Sequence, residues 1–449
     1  MAYSHTVRQL TKNTSSPRRP HSGSRLPEGL AAFRHRNYRI FWFAQLVSLT
    51  GTWMQSLAQS WLVLEMTDSA FQLGLINVCQ FAPTLLFGLV GGVYADRIPK
   101  RRLLQVTQTI AGLIVSVLAV LVTLGHVQLW QIYAAALGLG FVNAFDMPAR
   151  QAFVAEMVGK DDLMNAVALN SALFNTTRVL GPALAGVLLA QVGAAVCFIL
   201  NAASYAPVVV GLTLMRVAAP KRSKAEGSGL QRIRQGLSYV RSTPTVLLPI
   251  VLVGIVATFG MNFNIWVPLL AKRNFDIGAG GFGLLLSSMG VGSLAGALTL
   301  AFSGRRPRGR LMLLCAAAFG VFEGGLAIAG AAAAPVLVAV GLMALIGFTM
   351  STTMAMANTT VQQATPDALR GRVMSIYMTV FAGTTPFGAL IAGGTAHAFG
   401  TPVSVAISGV IVVGAAIGVG IWSTRAAVAA PGGSRASDQV SSASSHAAD

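Results

Sequence analysis

Few side chains in this sequence can do chemistry, and they stand far apart. Asp96 is followed by Arg97 and then by Lys100, Arg101 and Arg102, a carboxylate among cations that can lock neighbouring helix ends through charge-assisted hydrogen bonds. An ion pair at a half-wet interface is directional and modest in strength. That suits a gate whose two states must lie close in free energy. The alternative for the basic members is that they only fix the orientation of the chain in a membrane. Asp146 is a second acid in a comparable position. Arg178 and Glu323 each lie inside an apolar run, where a charge costs about 2.5–3.5 kcal/mol on insertion scales. Glu323 is one candidate partner for Arg178 and one candidate proton carrier. Arg178 reads equally as a cavity-lining group or a hydrogen-bond hub. Cys79, Cys197 and Cys315 show no CxxC spacing and no clustered His, so neither a disulfide framework nor a metal site is expected. No catalytic residue is assigned.

The elements that position these residues follow from composition. The chain has 449 residues, of which 54% are hydrophobic and only 10% charged, with a mean hydropathy of +0.65. A soluble domain carries roughly a quarter charged residues, so a soluble enzyme is excluded. The net charge of +18 does not imply nucleic acid, because the basic residues lie between apolar runs and not over a soluble face. A crossing helix needs about 20 apolar residues. Cutting at charges, Pro and Gly-rich breaks leaves twelve runs: 41–64, 73–94, 103–124, 129–144, 166–189, 194–214, 246–270, 282–302, 311–331, 335–356, 373–398 and 403–422. With twelve crossings, all 32 Lys and Arg except Lys272, Arg273 and the mid-span Arg178 fall on one side. The positive-inside rule makes that side, with both termini, cytoplasmic. The expected location is a multi-pass position in the plasma or inner membrane.

The longest loop bisects the chain. The expected organisation is a basic tail over 1–37, a six-helix bundle over 38–216, a cytoplasmic linker over 217–244, a second six-helix bundle over 245–424 and a polar tail over 425–449. In the linker Leu230, Ile233, Leu237 and Val240 recur at spacings of three and four beside Arg232, Arg234 and Arg241. The pattern predicts a short amphipathic helix, either lying against anionic headgroups or acting as a plain tether. The halves echo each other: Asp161, Leu163 and Val167 before the fifth run correspond to Asp367, Leu369 and Val373 before the eleventh. An all-α membrane fold of two pseudo-symmetric bundles is the arrangement of a carrier whose halves rock about a midplane site. Gly88 with Gly92, and Gly292 with Gly296, are small-residue pairs expected to let spans touch.

The run Gly92-Val-Tyr-Ala-Asp96-Arg97-Ile-Pro-Lys100-Arg101-Arg102 resembles motif A of the major facilitator superfamily, departing at Pro99 and Lys100. A second-half copy, Ser303 to Arg310, keeps basic residues and lacks the acid. The run from Phe145 to Ala152, with Asn165 to Asn170 and Arg178 to Gly186, is similar to the drug and siderophore exporter branch that includes the enterobactin exporters. Gly181-Pro182 with Gly186 resembles that branch's fifth-helix antiporter motif, although ordinary packing is the alternative. The resemblance implies that Gly92, Asp96, Arg97, Lys100 and Arg101 form a gate, with Asp146 completing its charge cluster. It further implies that the first, fourth, seventh and tenth helices line the cavity. This nominates Gln45, Trp53, Gln55, Gln59, Asn262, Asn264, Trp266 and Met354, whose amide, aromatic and thioether groups suit an amphipathic ligand.

No phosphate-binding loop of the G-x-x-x-x-G-K-[ST] type occurs, so no nucleotide or other cofactor is expected and an ion gradient must supply the drive. A proton entering down 100 mV carries about 2.3 kcal/mol. The expectation is a monomeric, proton-coupled exporter of a small amphipathic molecule, partnered by its substrate and the lipid bilayer and not by nucleic acid. The rival readings are an importer or facilitator of a metabolite and a transport-dead receptor or scaffold; the minimal outer loops weigh against the last.

Overall fold

The computed structural model describes residues 28–159, 161–215, 229–302 and 309–429. Most of both tails, the linker up to residue 228 and residues 303–308 lie outside the described residues, as do the side chains of Asp96, Arg97, Leu230, Arg232, Ile233, Asp367 and Arg425. The described chain is helical: α1 (Arg36–Thr67), α2 (Ala70–Arg97), α3 (Lys100–Thr123), α4 (Leu129–Val158), α5 (Leu163–Val192) and α6 (Ala194–Leu214) form the first half. A linker helix, α7 (Gly229–Ser242), precedes the second half of α8 (Pro244–Ile255), α9 (Phe263–Leu269), α10 (Gly278–Phe302), α11 (Gly309–Ala331), α12 (Val336–Ala364), α13 (Asp367–Gly383), α14 (Thr385–Phe399) and α15 (Thr401–Ala429).

Each of the twelve apolar runs becomes one rod. Eleven helical stretches among the described residues are long and apolar enough to cross a bilayer. The remaining rod, α1, is 32 residues long but less apolar, because Gln45, Ser48, Gln55, Gln59 and Ser60 occupy its buried face. Two rods are jointed. The seventh consists of α8 and α9 separated by a π-turn at Val256–Gly260 and closed by a second at Leu270–Asn274. The eleventh breaks between α13 and α14 ahead of Pro386, whose ring cannot continue a helix interior.

The fourth run was cut at Ala144, yet α4 continues unbroken to Val158. Cutting at charges misplaced its end, because Asp146 and Arg150 neutralise each other inside the bundle. Gly88 and Gly92 also differ from expectation: a Cβ on either would meet nothing within 4 Å. The contact is made one register away by Gly91, whose Cα faces the Ala144 carbonyl of α4. Pro148 has no N–H to occupy that carbonyl, and the glycine lets α2 approach it. Gly292 and Gly296 do touch, packing on the Ala344 and Phe348 carbonyls of α12.

The linker helix docks on the second half. The Tyr239 hydroxyl donates to the Ala364 carbonyl at 2.9 Å, Arg372 donates to Gln235 Oε1 at 2.6 Å, and Val240 is buried. Gly236 admits the Arg372 and Ile376 side chains of α13. Packing on α13 therefore takes up part of the apolar stripe. We call the membrane side carrying α7 the linker side and the opposite one the far side.

Candidate functional site

The two halves meet along two seams and one polar corner. In one seam α2 crosses α14 at Gly74 and Gly393, where a Cβ on Gly74 would lie 3.3 Å from the Gly393 Cα. In the other α5 crosses α10 at Gly186 and Gly283, where a Cβ on Gly186 would lie 2.8 Å from the Gly283 Cα. Glycine is required at both crossings because any side chain would force the backbones apart. Pro182 removes the N–H that would bond the Arg178 carbonyl, and Gly290 of α10 lies against that oxygen. These approaches run from the far side to mid-span. Trp61 of α1, stacked on Phe282 of α10 with centroids 6.1 Å apart, belongs to the same region. The helices α4 and α12 pack within their own halves, α4 on α1, α2, α3 and α5 and α12 on α8, α10, α11 and α13, whereas α13 also meets α2 of the other half. The glycine crossings and the polar corner place these close approaches between the halves on the far side and at mid-span.

The polar corner closes the far side. Asp68 ends α1 in the left-handed region, at φ 44°, a conformation that Asp tolerates better than most residues. Lys272 Nζ lies 3.1 Å from Asp68 Oδ1 and donates to the Leu64 carbonyl at 3.3 Å. Arg273 lies 3.2 Å from Asp68 Oδ2 and donates to the Asp68 carbonyl. Two cations thus complete the C-terminal cap of a helix in the other half, where the helix dipole favours positive charge. Hydrogen bonds from Lys272 and Arg273 hold the Asp68 carboxyl below the usual carboxylate range. These are the two cations that the charge distribution left on the far side. The sequence reading assigned them no role.

The expected gate residues on the linker side are engaged within the first half. Lys100 pairs with Glu156 at 2.8 Å, joining the start of α3 to the end of α4. Arg101 donates to the Leu212 and Thr213 carbonyls at 2.5 and 2.8 Å, capping α6. Asp146 is buried and accepts from Thr107 and Gln108, both at 2.8 Å, and from Arg150 Nε at 3.0 Å. Arg150 also donates to Gln45 Oε1 at 2.5 Å, so one network ties α1, α3 and α4. Sequence reading missed Arg150 by counting it as a loop cation, although its spacing of four from Asp146 on one helix was the available signal. Gly92 lies within α2, and the Asp96 and Arg97 side chains lie outside the described residues.

Several nominated cavity residues are packed. Besides Gln45, Gln55 is buried and accepts from Asn201 of α6, Gln59 is buried, and Trp266 donates to Ser404 at 3.0 Å. Asn262 is buried and donates to the Thr258 and Phe259 carbonyls of the π-turn. The Gln45 carbonyl oxygen, Gln55 and Asn262 thus serve contacts within the bundle, while Gln45 Nε2 is buried without a partner among the described residues. Trp53, Asn264 and Met354 are half-buried, and Trp53 packs edge-on to Phe174 and against Gly181. Arg178 is half-buried on α5 and forms no ion pair with Glu323. Glu323 lies instead between α11 and α15 in the second half, fully buried. No group of three or more His, Cys, Asp or Glu able to hold a metal occurs among the described residues.

Comparison with known proteins places this geometry. Residues 28–438 match the family model described as "Transmembrane secretion effector". The multidrug efflux pump Tap of Mycolicibacterium fortuitum is 28% identical over 370 residues, covering 80% of this chain and 88% of the relative. The enterobactin exporter EntS of Citrobacter koseri is 29% identical over 385 residues, covering 85% and 90%. The staphyloferrin A transporter of Staphylococcus aureus is 25% identical over 380 residues, covering 83% and 92%. In fold, the chain resembles a D-xylose-proton symporter with a TM-score of 0.69 at 15% identity, covering 86% of this chain and 97% of the symporter. Two six-rod halves meeting over a divided membrane path and the match across nearly the whole chain agree: the chain belongs to the transmembrane secretion effector family of major facilitator transporters.

Proposed function

We propose that this transporter exports a small amphipathic molecule, of the siderophore or drug class, by alternating access as a monomer. The observation that carries this reading is the far-side closure, in which the Asp68 corner and two glycine crossings join the halves. In this reading a substrate held between them enters from the linker side. That side is then cytoplasmic, as the bias of basic residues favours, and a far-side-closed carrier is the state that loads a substrate for export. The names of the relatives support efflux over uptake.

In the opposite state the far side opens and the linker side must close. Asp96, Arg97, Lys100 and Arg101, at the ends of α2 and α3, are placed in sequence to close it, and Asp96→Asn should cripple transport without affecting membrane insertion. The drive in this reading is an inward proton gradient. The test is reconstitution into liposomes with an imposed pH gradient, assayed against a panel of siderophores and drugs. Accumulation of at least one compound that collapses with the gradient is expected. Folded protein giving no gradient-dependent flux for any compound would refute export.

A further inference from the structure

Glu323 is fully buried, and among the described residues no cation pairs with it. The elements packed on α11 are α15, α12 and the two π-turns. Among them α12 has no charged residue, α15 has only Arg425 near its linker-side end, and the π-turn at 256–260 has none. Lys272 and Arg273 in the outer π-turn are engaged at Asp68. On α11 itself Arg310 lies at the linker-side end and Cys315 lies two turns away.

The hydrogen bonds around this carboxyl fix its state. Ser408 Oγ lies 2.6 Å from the Phe259 carbonyl and 3.1 Å from Glu323 Oε2. A hydroxyl has one proton to give, and a carbonyl can only accept. Ser408 therefore donates to Phe259, and the proton between Ser408 and Glu323 belongs to the carboxyl. Glu323 Oε1 has no partner, which a neutral acid tolerates and a buried carboxylate does not.

Phe259 belongs to the π-turn at Val256–Gly260, after which the rod breaks at Met261 and Asn262 before resuming as α9. One turn further along α15, Ser404 accepts from Trp266 of α9. The same rod ends in Lys272 and Arg273, the two cations of the far-side corner. Ser408 also lines a narrow cleft with Thr258, Asn262, Thr395 and Ser404, so its hydroxyl, and not Glu323 itself, borders that space.

We propose that Glu323 is a protonation switch that sets the far-side closure through Ser408 and the π-turn of the seventh rod. Protonated Glu323 leaves the Ser408 proton on the Phe259 carbonyl, the hinge is pinned to α15, and α9 holds Lys272 and Arg273 against Asp68. When Glu323 is deprotonated, its proton passes to Ser408 Oγ as the hydroxyl's own proton leaves the Phe259 carbonyl for the cleft, and the hydroxyl then donates to the carboxylate. Phe259 is released, the hinge loosens and the corner opens. The inference rests on the transport reading above and assigns the coupling residue within it.

The test uses full-length protein in nanodiscs, in a background without Cys79, Cys197 and Cys315, with spin labels at Met66 and Phe399 on the far-side ends of α1 and α14. The wild-type arrangement should shift to longer distances as pH rises, by about fivefold in population, as expected for one hydrogen bond. Glu323→Gln, which holds the site neutral, should keep the short distance at every pH. Ser408→Ala, which leaves Phe259 without this donor in both states, should give the long distance at every pH. Because the variants move in opposite directions, a loss of one to misfolding, read by thermal melting, leaves the other decisive. A pH response surviving in either folded variant, or absent from wild type, overturns the switch. Liposome flux of the wild type, run in parallel, judges the transport reading separately.

Discussion

Replacing Asp68 with Asn should loosen the far-side corner without altering its packing. The change removes the two ion pairs at 3.1 and 3.2 Å and leaves the cations bonded to the main-chain carbonyls of Leu64 and Asp68. The Asp68 side chain is 60% exposed and that of Lys272 34%, so each pair is worth about 0.2–1 kcal/mol. Together they give roughly 1 kcal/mol, or about a fivefold gain in molecules with the far side open. Lys272→Gln with Arg273→Gln also removes the carbonyl bonds, each worth about 0.5–1.5 kcal/mol, and should give tenfold or more. Both effects are read as the long-distance population between spin labels at Met66 and Phe399. The pH dependence has a fixed sign. A carboxyl held below its usual range contributes above its ordinary pKa, and the contribution is lost only as pH falls through the lowered value. Asp68 is therefore constant between about pH 6 and 8, and any pH response there must come from elsewhere. An unchanged population in Asp68→Asn, or a larger effect than in the double variant, would refute the latch.

Arg150→Ala should leave the buried Asp146 carboxylate with only Thr107 and Gln108 as donors, a loss of about 3–5 kcal/mol. Its melting temperature in detergent should fall sharply and recover in part when Asp146→Asn is added. Gly186→Val places branched carbons where a Cβ alone would lie 2.8 Å from the Gly283 Cα. It should separate α5 from α10 and abolish flux while membrane insertion persists, measured by comparing transport with folded yield. Tyr239→Phe removes the bond to the Ala364 carbonyl, so the linker should be cut several-fold faster by protease, with wild-type flux retained.

The rods were legible because an apolar stretch of membrane length has few alternatives, and the pseudo-symmetric halves followed from Asp161 over Asp367 and Leu163 over Leu369. What escaped the sequence was pairing across space. Arg150 looked like a loop cation because nothing local shows that Asp146 neutralises it. An inward amide has the same sequence signature whether it meets a substrate or a neighbouring helix, so the contacts of Gln45 with Arg150 and of Gln55 with Asn201 were not legible. The π-turn at Val256–Gly260 left no mark, since its Thr258 and Phe259 carbonyls are served by Asn262 and by Ser408 far along the chain. Lys272 and Arg273 were visible as exceptions to the charge distribution. A pair of cations on an otherwise cation-poor side calls for an acid, and Asp68 ends the helix that reaches the same side.

Alternating access is tested most directly by following both faces of one molecule at once. Labels at Met66 and Phe399 report the far side. Labels at Met164 of α5 and Phe302 of α10, 82% and 83% exposed, report the linker side. Under an imposed pH gradient with a transported compound, the far-side distance should lengthen in the same molecules in which the linker-side distance shortens. Two distances that change independently, or a linker side that stays open when the far side opens, would contradict the account.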